Sequence, residues 1–312
     1  MNSTTRLEWV TEDPASQHVL EIAGKVADTS TTVLITGESG TGKDQLARWI
    51  HEAGPRRDAP YLKIDCASLP SELVESELFG HERGAFTGAE ARKPGRMELA
   101  EDGTIVLDEV VALAPAVQSK LLRVLEERKF ERLGGTETLE MNARLVALTN
   151  ADLERAVRGG YFREDLYFRL NVLVIKVPPL RERPQDIRPL AEYFVNRLAP
   201  VHGHAGATID DGAMQALEVY DWPGNVRELK NVIERALVFA TGTILKREDF
   251  PSALQATSDA PSHSHLQSLE EMEKEAVRAT LEATHYKIAR AAEILGISRK
   301  TLLEKRKKYG LV

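Results

Sequence analysis

The sequence is poor in cysteine, with Cys66 as the single example among 312 residues. An intramolecular disulfide and a thiolate metal cluster are therefore excluded, and a lone cysteine in an apolar run is most often a small core residue. Long hydrophobic runs are lacking too, because no stretch approaches the roughly 18 consecutive apolar residues of a membrane span. The amino terminus has no basic start followed by an apolar core, as a secretory signal would. These absences predict a cytoplasmic protein without membrane contact.

Basic charge is scarce over most of the chain and is concentrated at its end. The whole chain carries a net charge of −7, yet residues 284–312 contain eight Lys or Arg and only two Glu. Basic charge concentrated on one element is the electrostatic footprint of phosphate binding. The end of the chain is therefore predicted to be a small nucleic-acid-binding module behind a large acidic one.

Apolar runs that alternate with helical patterns indicate the fold class. Buried strands are predicted at residues 32–36, 61–64, 104–107 and 144–149, with helices at 44–51 and 114–127 between them. This alternation predicts an α/β core with a mostly parallel sheet. A strand-like run at 171–177 ends at Pro178 and Pro179, and helices are then predicted at 185–198, 212–220 and 226–240. Residues 251–265 lack periodicity and predict a linker, and the chain is predicted to be helical from residue 266 onward.

A glycine-rich segment joins the first predicted strand to the first helix of the core. It consists of Gly37, Glu38, Ser39, Gly40, Thr41, Gly42 and Lys43. In this context glycines let backbone N–H groups curl round phosphate oxygens, and the lysine reaches the outer phosphates. The alternative is a plain strand–turn–helix connection. Asp44 stands where the general motif places a magnesium-binding hydroxyl, so the metal is held elsewhere or is ordered by Asp44 through water, with Thr41 as a further oxygen donor.

The strand predicted at 104–107 leads directly into two carboxylates, Asp108 and Glu109. Such an ending places Asp108 beside Mg²⁺ and leaves Glu109 to polarise a water for attack on the γ-phosphate. A capped strand end is the alternative interpretation. The pair lies about 70 residues after the phosphate loop, and this position favours the catalytic interpretation.

The segment between these two halves has a distinctive composition. It contains Gly84, Ala85, Phe86, Thr87, Gly88 and Ala89. Two glycines and two alanines make a flexible hairpin tip that exposes one aromatic ring and one hydroxyl, which suits a partner-gripping surface. These six residues resemble the GAFTGA signature of the sigma-54-dependent transcriptional activators, the bacterial enhancer-binding proteins of the AAA+ class.

The resemblance extends from about residue 10 to the end of the chain. It implies an AAA+ nucleotide-binding subdomain at residues 1–177, a helical lid at 178–250, a linker at 251–265 and a Fis-type helix-turn-helix domain at 266–312. It also implies that ATP and Mg²⁺ are the cofactors, that ATP is hydrolysed, and that residues 84–89 contact sigma-54.

Five further residues take roles from the resemblance. Thr149 and Asn150 look like the sensor of the γ-phosphate, and Arg227 resembles a second sensor that is carried by the lid. Arg163 and Arg169 look like the arginines that reach into a neighbouring subunit's nucleotide, where such a group can raise the rate by ~10³ or more.

Asp65 occupies a position where the family usually has an asparagine that pairs with the catalytic glutamate. Carboxylates of Asp65 and Glu109 that faced each other would repel, or one would take up a proton. We therefore expect the coupling between the nucleotide and the loop at residues 84–89 to differ in this chain from that of the family.

The end of the chain carries a helix-turn-helix pattern. A small-residue helix begins at Lys287, Gly296 supplies the turn, and Ser298 caps a second helix with Leu302 on its apolar face. This geometry places the second helix in a major groove and looks like a Fis-type domain; a solvated basic hairpin is the alternative. Arg299, Lys300 and Thr301 are expected to lie near bases or phosphates of DNA. Lys308 and its basic neighbours are expected to contact the DNA backbone. The predicted DNA-binding residues are Lys287, Arg290, Ser298, Arg299, Lys300, Thr301, Lys305, Arg306 and Lys307.

The resemblance also implies the partners: the sigma-54 RNA polymerase holoenzyme, double-stranded DNA upstream of promoters, and copies of the chain in a hexameric ring formed from resting dimers. A helix at 269–283 is expected to supply the dimer contact. Only about thirty residues precede the first predicted strand, too few for a sensing domain, so a separate regulatory protein controls the chain or the chain is a fragment. Two alternatives are a family regulator that does not remodel sigma-54 and a different AAA+ remodelling ATPase.

Overall fold

A computed structural model describes residues 9–255, 277–278, 280–281, 284, 287–295 and 297–309. The chain divides into two compact units, residues 1–258 and 259–312. In the described part of the chain, no helix has the length and apolar character needed to cross a bilayer.

The first unit contains eleven strands and eleven helices among its described residues. The strands are β1 (Val33–Thr36), β2 (Tyr61–Asp65), β3 (Gly80–His81), β4 (Lys93–Pro94), β5 (Thr104–Asp108), β6 (Lys129–Glu131), β7 (Thr138–Glu140), β8 (Arg144–Thr149), β9 (Leu173–Lys176), β10 (Thr208–Ile209) and β11 (Ile244–Leu245). The helices are α1 (Pro14–Ala27), α2 (Lys43–Ala53), α3 (Ser71–Phe79), α4 (Arg96–Leu99), α5 (Pro115–Glu127), α6 (Leu153–Arg158), α7 (Glu164–Leu170), α8 (Ile187–Leu198), α9 (Asp211–Val219), α10 (Asn225–Phe239) and α11 (Ser252–Gln255).

Five parallel strands form the central sheet in the order β2-β5-β8-β1-β9. All six residues of β8 and the first four of β5 are buried, as expected for inner strands that are covered by helices on both faces. The predicted parallel α/β core is confirmed. Because parallel strands end at the same edge, the residues that follow β1, β5 and β8 come together there.

The lid packs α8, α9 and α10 around Trp222, whose side chain is fully buried. The indole N–H of Trp222 donates to the Leu217 carbonyl at 2.8 Å, which satisfies the one polar atom of this core ring. The helix predicted at 185–198 begins later, because residues Pro184–Asp186 form a separate 3₁₀ turn.

The predicted linker begins too early. Residues Ser252–Gln255 form α11, and Leu254 is only 2% exposed because it packs into the core of the lid. A single turn with one apolar anchor has too little periodicity to be recognised in a sequence. The rest of the predicted linker, residues 256–265, lies outside the described residues.

The second unit contains the helices Ile288–Ile294 and Arg299–Lys308. The Ser298 side chain accepts a hydrogen bond from the Thr301 backbone N–H at 3.0 Å, so the predicted cap is confirmed. Leu302 is fully buried against Ala291 and Ala292, as the apolar-face prediction requires. Gly296 and most of the helix expected at 269–283 lie outside the described residues.

Candidate functional site

The loop between β1 and α2 is held by its own lysine. The Lys43 ammonium donates to the carbonyl oxygens of Gly37 at 2.8 Å and Glu38 at 3.0 Å. The Thr41 hydroxyl donates to the Glu38 carbonyl at 2.9 Å and so helps to close the loop. Burial lowers the pKa of Lys43, while the nearby carboxylates of Glu109 and Asp108 act to raise it.

A cavity of about 550 Å³ opens in front of this loop. Its lining comes from the amino-terminal segment, the phosphate loop, the end of β5 and the lid, including Trp9, Lys43, Asp108, Tyr193 and Arg227. This volume lies within the range of small-ligand sites. Its lining combines cationic side chains such as Lys43 and Arg227 with aromatic and aliphatic ones, a combination that suits a nucleotide.

Glu109 lies directly after β5 in a left-handed conformation, with φ of 53°. A glutamate rarely adopts this region, and such strain is concentrated at functional positions. Its carboxylate accepts a hydrogen bond from the Asn150 backbone N–H at 3.2 Å. The structure thus brings together two predicted site residues from different strands.

Asp44 and Asp108 are bridged by a lysine that the sequence motifs do not contain. The Lys63 ammonium lies 2.5 Å from an Asp44 carboxylate oxygen and 2.7 Å from an Asp108 carboxylate oxygen. Burial acts to lower the pKa of Lys63, but hydrogen bonds to Asp108 and Asp44 outweigh burial and leave it raised. Asp44 therefore belongs to an ion-pair cluster at the end of the sheet.

Asp65 is held by the turn that follows β2. Its side chain accepts hydrogen bonds from the backbone N–H groups of Ala67 at 3.0 Å and Ser68 at 3.2 Å, and the expected interaction with Glu109 stays a prediction. The local turn satisfies this carboxylate, as is common for Asp at the start of a turn. The adjacent Cys66 backbone N–H donates to the Asp108 carbonyl at 2.9 Å, which connects the two strand ends.

The lid contacts the phosphate loop through several side chains. Arg227 donates to the Ser39 hydroxyl at 2.9 Å, which places this predicted sensor at the loop. The Asn225 amide donates to a Glu38 carboxylate oxygen at 3.1 Å, and Arg181 makes a bidentate pair with Glu38 at 2.6 and 2.9 Å. The Arg181 and Asn225 hydrogen bonds lower the pKa of Glu38 to about 2.

A buried arginine of the lid supports the phosphate loop. Arg183 is 2% exposed and donates to the Thr41 carbonyl at 2.7 Å. It pairs at 3.7 Å with the fully buried Asp186, which also accepts from the backbone N–H groups of Glu12 and Asp13 at 2.8 and 2.9 Å. The amino-terminal segment, the lid and the loop therefore share one buried polar network.

Arg163 and Arg169 do not line the cavity. Arg163 pairs with Asp165 at 2.8 Å, and Arg169 donates to the Leu125 carbonyl at 3.0 Å. Exposed apolar side chains lie on the same segment, with Tyr161 at 75% and Phe168 at 63% exposure.

Residues 84–89 form the tip of a projecting hairpin. At its neck β3 pairs with β4, and the Gly84 N–H donates to the Ala89 carbonyl at 2.8 Å. Thr87 is exposed, and the Phe86 ring is 43% exposed with its centroid 5.0 Å from that of His81. Only Ala89 of the six is buried.

A buried arginine holds the neck of this hairpin. Arg132 follows β6 and is 3% exposed. It makes hydrogen bonds with Glu98 at 2.9 Å, Glu82 at 3.0 Å and Glu137 at 2.7 Å. The projecting segment is thereby tied to its supporting hairpin β6–β7.

The predicted DNA-binding residues all lie on or beside the two described helices of the second unit. Exposed among them are Lys287, Arg290, Ser298, Arg299, Lys300 and Lys307, whereas Thr301, Lys305 and Arg306 are partly buried. One surface element therefore carries most of the basic charge of this unit.

Family comparisons agree with this arrangement. The family model of the sigma-54 interaction domain matches residues 9–176, that of the AAA+ ATPase lid domain matches 181–267, and that of the bacterial regulatory protein, Fis family, matches 268–309. The chain belongs to the sigma-54-dependent transcriptional activators. This activator is 44% identical over 304 residues to the transcriptional regulatory protein ZraR of Salmonella typhimurium, which covers 97% of the chain and 69% of the relative. It is 41% identical to the regulatory protein AtoC of Escherichia coli, over 99% of the chain and 69% of AtoC.

Solved structures show the same fold. NtrX from Brucella abortus in complex with ADP superposes with a TM-score of 0.74 at 34% identity, covering 98% of the activator and 69% of NtrX. NtrX in complex with ATP gives a TM-score of 0.74 at 33% identity, over 97% and 69% of the two chains. The activator thus carries an AAA+ domain, a lid and a helix-turn-helix.

Sequence patterns located the phosphate loop, the carboxylate pair and the projecting tip, but they missed several supporting residues. Lys63, Arg181, Arg183, Asn225 and Arg132 contact predicted site residues or hold their segments. Most of their contacts with the site join distant parts of the chain, so no local spacing marks these residues.

Proposed function

We propose that this activator hydrolyses ATP and uses the hydrolysis to drive residues 84–89 against the sigma-54 polymerase, so that a closed promoter complex opens. The observation that carries the proposal is the direct backbone hydrogen bond between the Cys66 N–H and the Asp108 carbonyl. It joins the nucleotide end of the sheet to the segment that leads, through α3, into the projecting hairpin.

The chemistry at the cavity follows from residues that the structure brings together. Lys43 and the backbone N–H groups at the start of α2 bind phosphate oxygens. Glu109, held by the Asn150 N–H, orients the attacking water and accepts its proton. The strained backbone of Glu109 fixes the direction of its side chain.

Magnesium fits this site as a partner of the nucleotide. The described residues contain no cluster of three or more His, Cys, Asp or Glu that would cage a metal with protein atoms alone. Mg²⁺ commonly binds through one or two carboxylates together with substrate phosphates and water. Asp108 is the residue proposed to hold it, with Asp44 beside it, and the ion would neutralise charge on the phosphates.

Movement reaches the projecting hairpin through one short helix. α3 has nine residues and spans about 13 Å. Val74, Leu78 and Phe79 bury its inner face, and Phe79 continues directly into β3. Because α3 is packed along its length, a shift near Asp65 moves the neck of the hairpin as well.

Hydrolysis in the proposal requires a second copy of the chain. Arg163 and Arg169 lie outside the cavity of their own chain and beside exposed apolar residues, so they are proposed to act on a neighbour's nucleotide in a ring. The helix Arg299–Lys308 is proposed to lie in the major groove of upstream DNA.

The decisive experiment separates hydrolysis from promoter opening. Thr87→Ala removes an exposed hydroxyl from the hairpin tip, and Thr243→Ala removes one from an exposed turn of the lid. Thr87→Ala is expected to hydrolyse ATP within about twofold of the unchanged chain while open-complex formation with sigma-54 polymerase is lost. Thr243→Ala keeps both activities. Full promoter opening by Thr87→Ala would refute the proposed role of the tip.

A mixing experiment tests the ring. Arg163→Ala and Arg169→Ala each lower hydrolysis by about 10³-fold while ATP binding survives. Assembly with an Asp108→Ala chain, which retains both arginines, restores hydrolysis to the neighbouring sites. Absence of any restoration would argue for action within one chain.

A further inference from the structure

Lys63 occupies an unusual position between two carboxylates of the nucleotide site. It lies in β2, next to β5 at the edge of the central sheet, and β5 and β8 separate it from β1, the strand that leads into the phosphate loop. Its ammonium contacts Asp44, from the first turn of α2, at 2.5 Å and Asp108, from the end of β5, at 2.7 Å. One ammonium group on β2 thereby joins a carboxylate of α2 to a carboxylate of β5.

The contacts of the other lysine in the site are different. Lys43 donates to the backbone carbonyls of Gly37 and Glu38, and so it stabilises the loop. Lys63 is the described cation in contact with the Asp108 carboxylate. A carboxylate pair without a counter-cation is costly because like charges repel, and an ammonium with three donors satisfies both groups.

The same oxygens are the ones that a divalent metal would use. Mg²⁺ binds carboxylate oxygens at about 2.0–2.1 Å, and an ammonium that already neutralises the same carboxylates repels the arriving cation and lowers the gain from its binding. The Lys63 side chain is 31% exposed, and solvent gives it room to move aside. The Asp108 side chain is 21% exposed.

We propose that Lys63 is a tethered counter-cation that holds the Asp44–Asp108 pair before a divalent metal arrives and competes with the metal for that pair. The inference rests on the proposed ATP hydrolysis for its biological meaning. Lys63 is a positioning residue, since it acts through the two carboxylates. When the metal displaces Lys63, the side chain that moves belongs to β2, the strand that ends at Asp65 and leads into α3.

The competition has a measurable consequence. Binding of the metal with its nucleotide releases Lys63, whereas nucleotide without metal leaves the ion pairs in place. The site therefore distinguishes metal-loaded from metal-free nucleotide through one strand residue.

The test measures Mn²⁺ binding to the full chain by the loss of the free-ion electron paramagnetic resonance signal, first without nucleotide and then with ADP. Lys63→Met removes the charge and keeps the length of the side chain. Lys176→Met makes the same change at an exposed position of β9 in the same sheet. Lys63→Met is expected to bind Mn²⁺ about fivefold more tightly than the unchanged chain, as for the loss of one screened ion pair, and Lys176→Met is expected to match the unchanged chain.

A charge-preserving variant guards against a folding effect. Lys63→Arg retains a competing cation and is expected to bind Mn²⁺ no more tightly than the unchanged chain. Equal Mn²⁺ affinities for Lys63→Met and the unchanged chain would overturn the inference, and so would a weaker affinity, which would mean that Lys63 organises the metal site. If the unchanged chain hydrolyses no ATP but Lys63→Met still binds Mn²⁺ more tightly, the proposed function fails and this inference stands.

Discussion

Two glycine-rich segments of this activator use glycine for different physical reasons. Gly40 in the phosphate loop and Gly88 in the projecting hairpin both have left-handed backbones, with φ of 79° and 101°. A side chain at Gly40 would collide with the Gly224 carbonyl oxygen of the lid, while a side chain at Gly88 would meet nothing within 4 Å. The first segment needs glycine for close approach, and the second needs it only for conformation.

The surroundings of the two segments differ in the same way. The phosphate loop is held by three side chains of the lid, which are Arg227, Asn225 and the buried Arg183. The hairpin tip is held at its neck by β3, β4 and Arg132, and Phe86, Thr87 and Gly88 are exposed. The phosphate loop is thus packed against the lid, whereas the hairpin tip is anchored mainly at its neck.

The largest effect is expected from Gly40→Ala, with Gly88→Ala as its matched partner. Left-handed strain costs about 1–2 kcal/mol at either position, and the collision with the lid backbone adds about 1–3 kcal/mol at Gly40 alone. ATP affinity should therefore fall by at least tenfold in Gly40→Ala and stay near normal in Gly88→Ala, as measured by calorimetric titration. Equal ATP affinities in the two variants would mean that the close approach to Gly224 has no energetic consequence.

Arg183→Met removes the buried guanidinium that donates to the Thr41 carbonyl of the phosphate loop. The Thr41 carbonyl and Asp186 each lose a buried partner, which we expect to cost about 2–3 kcal/mol. Because a peptide N–H points opposite to its carbonyl, Arg183 also fixes the direction of the Gly42 N–H, which the proposed function assigns to phosphate binding. Urea unfolding measures the loss of stability. Calorimetric titration measures the ATP affinity, which is expected to fall as well. Arg183→Lys, which keeps the charge, should recover part of the affinity; an undiminished affinity in Arg183→Met would contradict the aiming role.

Arg132→Met loosens the neck of the hairpin. Its three glutamate partners are partly exposed, so the loss is expected to be only about 1–2 kcal/mol in urea unfolding, with ATP binding unchanged. Arg92, which lies 3.7–3.8 Å from two of the same glutamates and is exposed, offers the control Arg92→Met with a smaller loss. If Arg132→Met weakened ATP binding as strongly as Gly40→Ala, the two segments would not be separable.

The smallest effect concerns the exposed contact between the lid and the phosphate loop, and it depends on pH. Hydrogen bonds from Arg181 and Asn225 lower the pKa of Glu38 to about 2, below its ordinary value of 4.5. The contribution of Glu38 is therefore complete above about pH 4.5 and is lost as the pH falls toward about 2. The difference in urea unfolding free energy between the unchanged chain and Glu38→Gln should shrink between about pH 5 and about pH 2.5. A difference that stays constant over this range would show that the ion pair does not contribute.

The sequence by itself determined the features that depend on local pattern. The apolar strand runs, the phosphate loop, the carboxylates after β5 and the Ser298 cap each follow from residues within one short segment. Their physical causes are local as well: backbone conformation, strand burial and hydrogen bonds between near neighbours.

Tertiary structure alone decided which side chains meet. Arg183 and the Thr41 carbonyl are 142 positions apart, and Asn225 and Glu38 are 187 apart. The partners of the Asp65 carboxylate are backbone N–H groups of the turn that follows β2. The strand order β2-β5-β8-β1-β9 placed Lys63 beside Asp108, although nothing in the motif around either residue indicates the pair. Such contacts arise because packing of the sheet and lid brings distant segments to one edge, where charge and hydrogen-bonding capacity must then be satisfied.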